Sequence, residues 1–171
     1  RYAAMIPALD RVIPVVVNAD GAAQINDAIT WALKEDLWLV IRGGGDAIHV
    51  ADRLVANDSP VILTSTMAAP GRDYEGYDGA YSMPARLYEA GVKFAIQPSQ
   101  NGSMPERFLG YQAARLVRSG LSREQAMRTV TLGAAEICGV ADRYGSLEVG
   151  KTGNIVQWTA DPLELTSWVQ K

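Results

Sequence analysis

The sequence predicts an α/β chain built from parallel βα units, and three observations carry that expectation. Four short apolar runs rich in β-branched residues start at positions 13, 37, 61 and 92, two spacings of 24 residues and one of 31. Between them lie segments whose apolar residues recur at helical spacing. Clusters of Gly, Asn and Asp stand at the junctions, where a strand hands over to a helix.

The first unit begins with Ile13, Pro14, Val15, Val16 and Val17, a continuous run of the kind expected of a strand buried on both faces. Asn18, Ala19, Asp20 and Gly21 follow as a turn whose Asn and Asp suit helix capping. A helix is expected over 22–35, with Ile25, Ala28, Ile29, Ala32 and Leu33 along one face. The second unit repeats this order: a strand over 37–41, a turn at Gly43, Gly44, Gly45 and Asp46, and a helix over 47–56. A third strand over 60–64 leads into a long loop that carries Gly71 to Gly79, then a short helix over 84–90. The fourth strand, 92–96, ends at Gln97, Pro98 and Ser99. Strands alternating with helices need crossover connections, which make the sheet parallel and the crossovers right-handed. Either an open doubly wound sheet or half of a (β/α)8 barrel satisfies this, since a whole barrel takes about 250 residues.

Beyond the fourth strand the chain turns helical. Helices are expected over 106–117 and 122–137. The second opens on Ser122 with Gln125 three residues later, the pattern of a capping box, and stops near Cys138 and Gly139. Glycines at 145, 150 and 153 mark turns ahead of a strand over 154–158, which belongs to a β-rich element outside the parallel sheet.

Composition narrows the function classes. The chain is 171 residues long, with a hydrophobic fraction of 48% and a charged fraction of 20%, so disorder, collagen and a disulfide scaffold are excluded. It has one histidine, His49, and one cysteine, Cys138, too few for a zinc finger or an iron–sulfur cluster. Sixteen basic against 19 acidic residues and no basic tract argue against a nucleic-acid partner. No apolar run approaches the roughly 20 residues of a membrane span, and no signal peptide is visible. The chain starts at Arg1 rather than Met and reads as truncated, which leaves localisation open.

Several motifs invite a chemical reading. Gly145 to Thr152 matches G-x-x-x-x-G-K-[ST], the phosphate-binding loop. That loop needs a strand before it and a helix after it, and here the order is reversed, so a β-hairpin with a Gly150-Lys151 turn is the expectation. The glycines at 43–45 lack dinucleotide-fingerprint spacing and read as a tight turn. His49 is expected on a solvated helix face, and Cys138 as a buried, inert thiol. Ligands of parallel α/β sheets and barrels sit beyond the carboxyl ends of the strands. That rule gathers Asn18, Asp20, Gly43, Ser65, Thr66, Gln97, Ser99 and Asn101 on one rim as candidate substrate-pocket residues. Most are neutral hydrogen-bonding groups, suited to orienting a polar small molecule and poor as metal ligands.

The chain carries a resemblance over nearly its whole length, most specific in the C-terminal third. Leu121 to Ala126, Thr131 to Val140, Gly145 to Lys151 and Asn154 to Trp158 resemble the C-terminal half of an amidohydrolase of the imidazolonepropionase-related group: its last helix, its "GSLEPGK" hairpin, and the strand returning to a small composite β-sandwich. The resemblance implies that 13–99 form strands five to eight of a (β/α)8 barrel, that 1–142 are partial barrel, and that 143–171 are part of the β-sandwich domain. It implies a parent hydrolase acting on non-peptide carbon–nitrogen bonds, in amides or cyclic amides, through water activated by zinc or another divalent metal. In that family the ligands include histidines after strands five and six and an aspartate after strand eight. Here Asn18, the stretch 43–45 and Ser99 stand at those places, so no ligand and no catalytic residue is carried over, and no cofactor is assigned to this chain. The alternative reading is a degenerate barrel that binds a small ligand or acts as a structural or oligomeric partner. Four strands of a barrel leave open edges, so self-association or a missing N-terminal half is expected to cover them.

Overall fold

A computed structural model describes residues 2–64, 66, 76–98 and 109–170. A 3-10 turn at Ala3–Met5 runs into the single-turn helix α1 (Ile6–Leu9). Then come β1 (Val15–Ala19), α2 (Ala22–Lys34), β2 (Leu39–Gly43), a 3-10 turn at Ala47–Val50 continuing into α3 (Ala51–Ala56), β3 (Val61–Leu63), α4 (Gly79–Glu89) and β4 (Phe94–Ile96). Three helices close the order: α5 (Leu109–Arg118), α6 (Arg123–Arg128) and α7 (Leu132–Ile137). The four strands form one sheet in the order β1-β2-β3-β4, every pair parallel. The predicted βα alternation is therefore the observed one.

Strand alternation divides the sheet into two faces. Leu39, Ile41, Val61, Leu63, Phe94 and Ile96 point to one side and join the main core with Ile25, Ile29, Leu54, Leu87 and Leu116 from the crossover helices and α5. Val40 and Ala95 point to the other side, where Ile62 and Ala134 pack with Ile137 of α7. Helix α2 forms because Ile25, Ala28, Ile29 and Ala32 recur at i, i+3, i+4, i+7 and all become buried. Its amino end is closed twice: Gln24 Oε1 accepts from the Asp20 and Gly21 amides, and Asp46 Oδ2 accepts from the Ala22 amide at 3.2 Å.

Several boundaries differ from the sequence expectation, each for a local reason. The first strand starts at Val15, not Ile13, because the Val12 and Ile13 amides both donate to Pro7 O and Pro14 has no amide to give. It is also not buried on both faces: Val16 is 50% exposed, since β1 is an edge strand with no described element on its second side. Helix α4 starts at Gly79 and carries Pro84 in its interior, five residues earlier than a proline-led start. The expected helix over 122–137 is two helices. The hydroxyls of Thr129 and Thr131 donate to the Ala126 and Met127 carbonyls at 2.7 and 2.8 Å, and the β-branched run between α6 and α7 leaves helical geometry. The capping box at Ser122 and Gln125 forms as predicted.

In the tail, residues 154–156 are not strand. Pairing is confined to the Trp158–Val169 antiparallel bridge, flanked by Thr159 N–H to Trp168 O and Gln170 N–H to Gln157 O. Gly150, at φ +94°, forms the expected turn with Lys151, closed by the Lys151 amide on Glu148 O, but without paired strands on either side. The tail is fastened to the helical layer by buried Leu163 and by Arg123, which pairs with Asp161 and with Glu164.

Candidate functional site

The carboxyl ends of β1, β2 and β4 meet in a short polar ladder on the second face of the sheet. Asn18 and Arg42 are register partners on adjacent strands, and Arg42 Nη1 donates to Asn18 Oδ1 at 2.8 Å. Arg42 Nε donates to Gln97 Oε1 at 2.9 Å, directly beyond β4. Gln97 lies two strands away from Arg42, roughly 10 Å at the usual strand spacing, so the arginine side chain lies across the sheet and over β3. One guanidinium thus ties together two carboxamides of the strand-end rim.

The other rim candidates have different surroundings. Gly43 holds φ +121°, and a Cβ there would stand 2.6 Å from Asp20 Oδ1 and 2.8 Å from Ala19 O, so the backbone itself requires glycine. Asp20 is exposed, and its carbonyl accepts from the Asp46 amide at 2.8 Å, which locks the turn after β1 to the turn after β2. Thr66 is buried and does not join the ladder; it lines a groove of about 730 Å³ with Tyr81, Tyr111 and Arg115, between α4, α5 and the tail. Ser65, Ser99 and Asn101 lie outside the described residues. The ladder therefore unites Asn18 and Gln97, sets Asp20 and Gly43 in the adjoining turns, and leaves Thr66 on another surface.

Arg42 was not among the sequence candidates. A strand over 37–41 and a turn opening at Gly43 leave it between the two, assigned to neither. The signal was a charged residue two positions after Val40, in phase with the second face of the strand.

His49 is exposed, as expected, though on a 3-10 turn and not within an α-helix. Cys138 corrects its expectation: it is exposed. Ala135 and Ile137 take the buried side of α7, and the following residue, one helical step round, faces out before Gly139 turns the chain at φ +70°. The match at 145–152 binds its own side chains: Lys151 Nζ donates to Ser146 Oγ at 2.6 Å and to Glu148 at 3.3 Å, and no helix follows it to present amides to a phosphate.

A family model described as "Amidohydrolase family" matches residues 76–170, more than half of the chain. The chain belongs to the amidohydrolase family. An amidohydrolase structure from Thermotoga maritima MSB8 superposes with a TM-score of 0.84 and 29% identity, covering 96% of this chain and 42% of that one. The polar ladder thus sits at the strand ends of a four-stranded section of an amidohydrolase barrel. Among curated proteins, an imidazolonepropionase of Pseudomonas aeruginosa is 38% identical over 88 residues, which are 48% of this chain and 21% of that protein. One from Acinetobacter baumannii is 32% identical over 111 residues, 62% of this chain and 27% of that protein. The chain spans between a fifth and about a quarter of the length of these relatives.

Amidohydrolases typically use a divalent metal, and the ladder is a poor fit for one. Its donors are two neutral carboxamide oxygens, both already accepting from a permanently charged guanidinium. Among the described residues no group of three or more His, Cys, Asp and Glu is placed to hold a metal ion. What the ladder can do is orient a polar group by hydrogen bonds and a fixed positive charge.

Proposed function

We propose that this chain forms one wall of the substrate pocket of a hydrolase acting on non-peptide carbon–nitrogen bonds in amides or cyclic amides. The observation that carries the reading is the Asn18–Arg42–Gln97 ladder at the carboxyl ends of the strands, where barrels place their chemistry, in a chain of the amidohydrolase family. The names of the matched relatives support it. The ladder's part is to hold a polar substrate group against the rim, with Asp20 and Gly43 setting the shape of the adjoining turns. The reading also takes 1–142 as barrel and 143–171 as part of a small β-sandwich, for which the antiparallel pairing of 157–159 with 168–170 is support.

A second reading is favoured by the same ladder's chemistry: a degenerate, non-catalytic barrel that binds a small ligand or serves as a structural or oligomeric partner. The two readings part on one experiment. The purified chain is assayed against lactams, hydantoins and N-acyl amino acids for release of a new carboxylate, with ligand-induced thermal shifts measured in parallel. Turnover that falls on Arg42→Met supports the hydrolase reading. Thermal shifts without turnover support the binding reading, and the absence of both responses overturns the assignment of the ladder as a pocket wall. As to the membrane, no helix among the described residues is long and apolar enough to cross one.

A further inference from the structure

We propose that Arg42 closes this rim to a divalent cation, its guanidinium serving as the resident cation of the strand ends. The inference goes beyond the reading above and stands whether or not the chain hydrolyses anything. It rests on three features of the ladder. The first is reach: β2 and the residue beyond β4 are joined by one side chain, so the guanidinium fills the space over β3 where ligands from neighbouring strands would converge. The second is donor use. Asn18 Oδ1 and Gln97 Oε1 are the ladder's oxygen donors, and each accepts from an Arg42 N–H, at 2.8 and 2.9 Å. A metal drawing on both would have to sit against the guanidinium that both already face. The third is charge: the guanidinium is a fixed positive charge, and a divalent ion brought to the rim would lie against it.

The setting makes that placement stable. On the same face Val40 lies one step toward the amino end of β2, while Ile62 and Ala95 lie level with Arg42 on β3 and β4, and all three pack with Ala134 and Ile137. The guanidinium therefore has an apolar floor below it and cannot retreat along the strands without burying its charge. Its two carboxamide partners hold it from opposite sides of the sheet section, one on β1 and one beyond β4.

The test uses zinc binding by the 171-residue chain, read by isothermal titration and by metal content after dialysis. All proteins carry His49→Ala, which removes an exposed imidazole, a zinc-ligand type, from outside the rim. Four are compared: the His49→Ala background by itself, then the same background with Asn18→His, with Arg42→Met, and with both substitutions together. The background and the Asn18→His protein are expected to take up no stoichiometric zinc. The protein with both substitutions, carrying an imidazole and lacking the guanidinium, is expected to bind about tenfold or more tightly than Asn18→His alone. Circular dichroism establishes folding, and Arg42→Gln, which keeps a polar side chain over β3, replaces Arg42→Met if the latter fails to fold. One zinc per background chain overturns the proposal. So does an Asn18→His protein that binds as tightly as the one with both substitutions, or a folded protein with both that gains nothing.

Discussion

Replacing Gly43 with alanine is the sharpest test of how the rim is built. The residue has φ +121°, outside the regions open to L side chains, and a Cβ would stand 2.6 Å from Asp20 Oδ1 and 2.8 Å from Ala19 O. Gly150 supplies the control: φ is +94° and nothing lies within 4 Å of the added carbon. Backbone strain alone should cost about 1–2 kcal/mol at either position. At Gly43 the forced separation adds an overpacking cost of about 1–3 kcal/mol, because one of the two neighbours is backbone and cannot rotate away. Gly43→Ala should thus lose about 3 kcal/mol, which for a domain of this size lowers Tm by roughly 6–12 °C, and Gly150→Ala roughly a third to two thirds of that. The assay is urea unfolding followed by far-UV circular dichroism, with a thermal melt alongside. Adding Asp20→Ala removes the carboxylate but not Ala19 O, so the double variant should recover only part of the loss. Equal destabilisation at Gly43 and Gly150 refutes the close-approach argument and leaves φ as the whole effect.

Three other regions of the chain give outcomes as definite. Ile25 is fully buried under the sheet, so Ile25→Ala should cost about 2–5 kcal/mol by urea titration. The Asp161 carboxyl is held below its usual range by the Leu163 amide and then by Arg123, and Glu148 is held low by the Ser146 hydroxyl and Lys151. Because the folded values lie below the unfolded ones, their stabilisation is present above the ordinary carboxylate range and fades as pH falls through the folded values. Protection of the tail amides near 163–168, taken relative to their intrinsic exchange rates, should therefore fall under acid, and Asp161→Asn should flatten that dependence; protection that does not change with pH sinks the assignment. Self-association, the remaining proposal for the open edge, predicts oligomers in sedimentation velocity that Val16→Lys weakens. Val16 of β1 and Met5, Ile6, Leu9 and Val12 of the segment leading into it are each half or more exposed, and a monodisperse monomer counts against it.

Most of the fold was legible because its signal is local. The buried stripe of α2 and the β-branched runs of β2 and β3 write their environment into the spacing of single residue types. The capping box at Ser122 is legible for the same reason. The break after α6 was less visible, since it depends on threonine hydroxyls choosing carbonyls one turn back over continuing a helix. The exposure of Cys138 depends on where Gly139 turns the chain against Trp38, a contact remote in sequence. The rim divides along the same line. The Gly43 turn could be read from its glycines, and Asn18 and Gln97 from their position after apolar runs. Arg42 could not be placed while its strand was ended at residue 41, because a one-residue change in boundary decides whether a side chain lies on a sheet face or in a turn.

The place of the ladder along the strands follows from what covers the second face. Position by position, Val16 precedes Asn18, Val40 precedes Arg42, Ile62 precedes Thr64 and Ala95 precedes Gln97, so every strand passes from apolar to polar within one period of two. Val40 is fully buried while Arg42 is half-buried, and α7 packs its Ala134 and Ile137 on this face with Val40, Ile62 and Ala95. A charged side chain one step lower would lie under that helix, where burial without full pairing costs several kcal/mol. From position 42 the side chain leans a step further toward the carboxyl ends, where its guanidinium meets carboxamides instead of methyl groups. Register then explains why the residue is an arginine. Arg42 is level with Ile62 on β3, which is level with Ala95 on β4, so Gln97 stands two residues beyond it. Only a long side chain leaning along the strands can hold Asn18 at its own level and Gln97 at the next, and the planar fork of Arg42 does both at once.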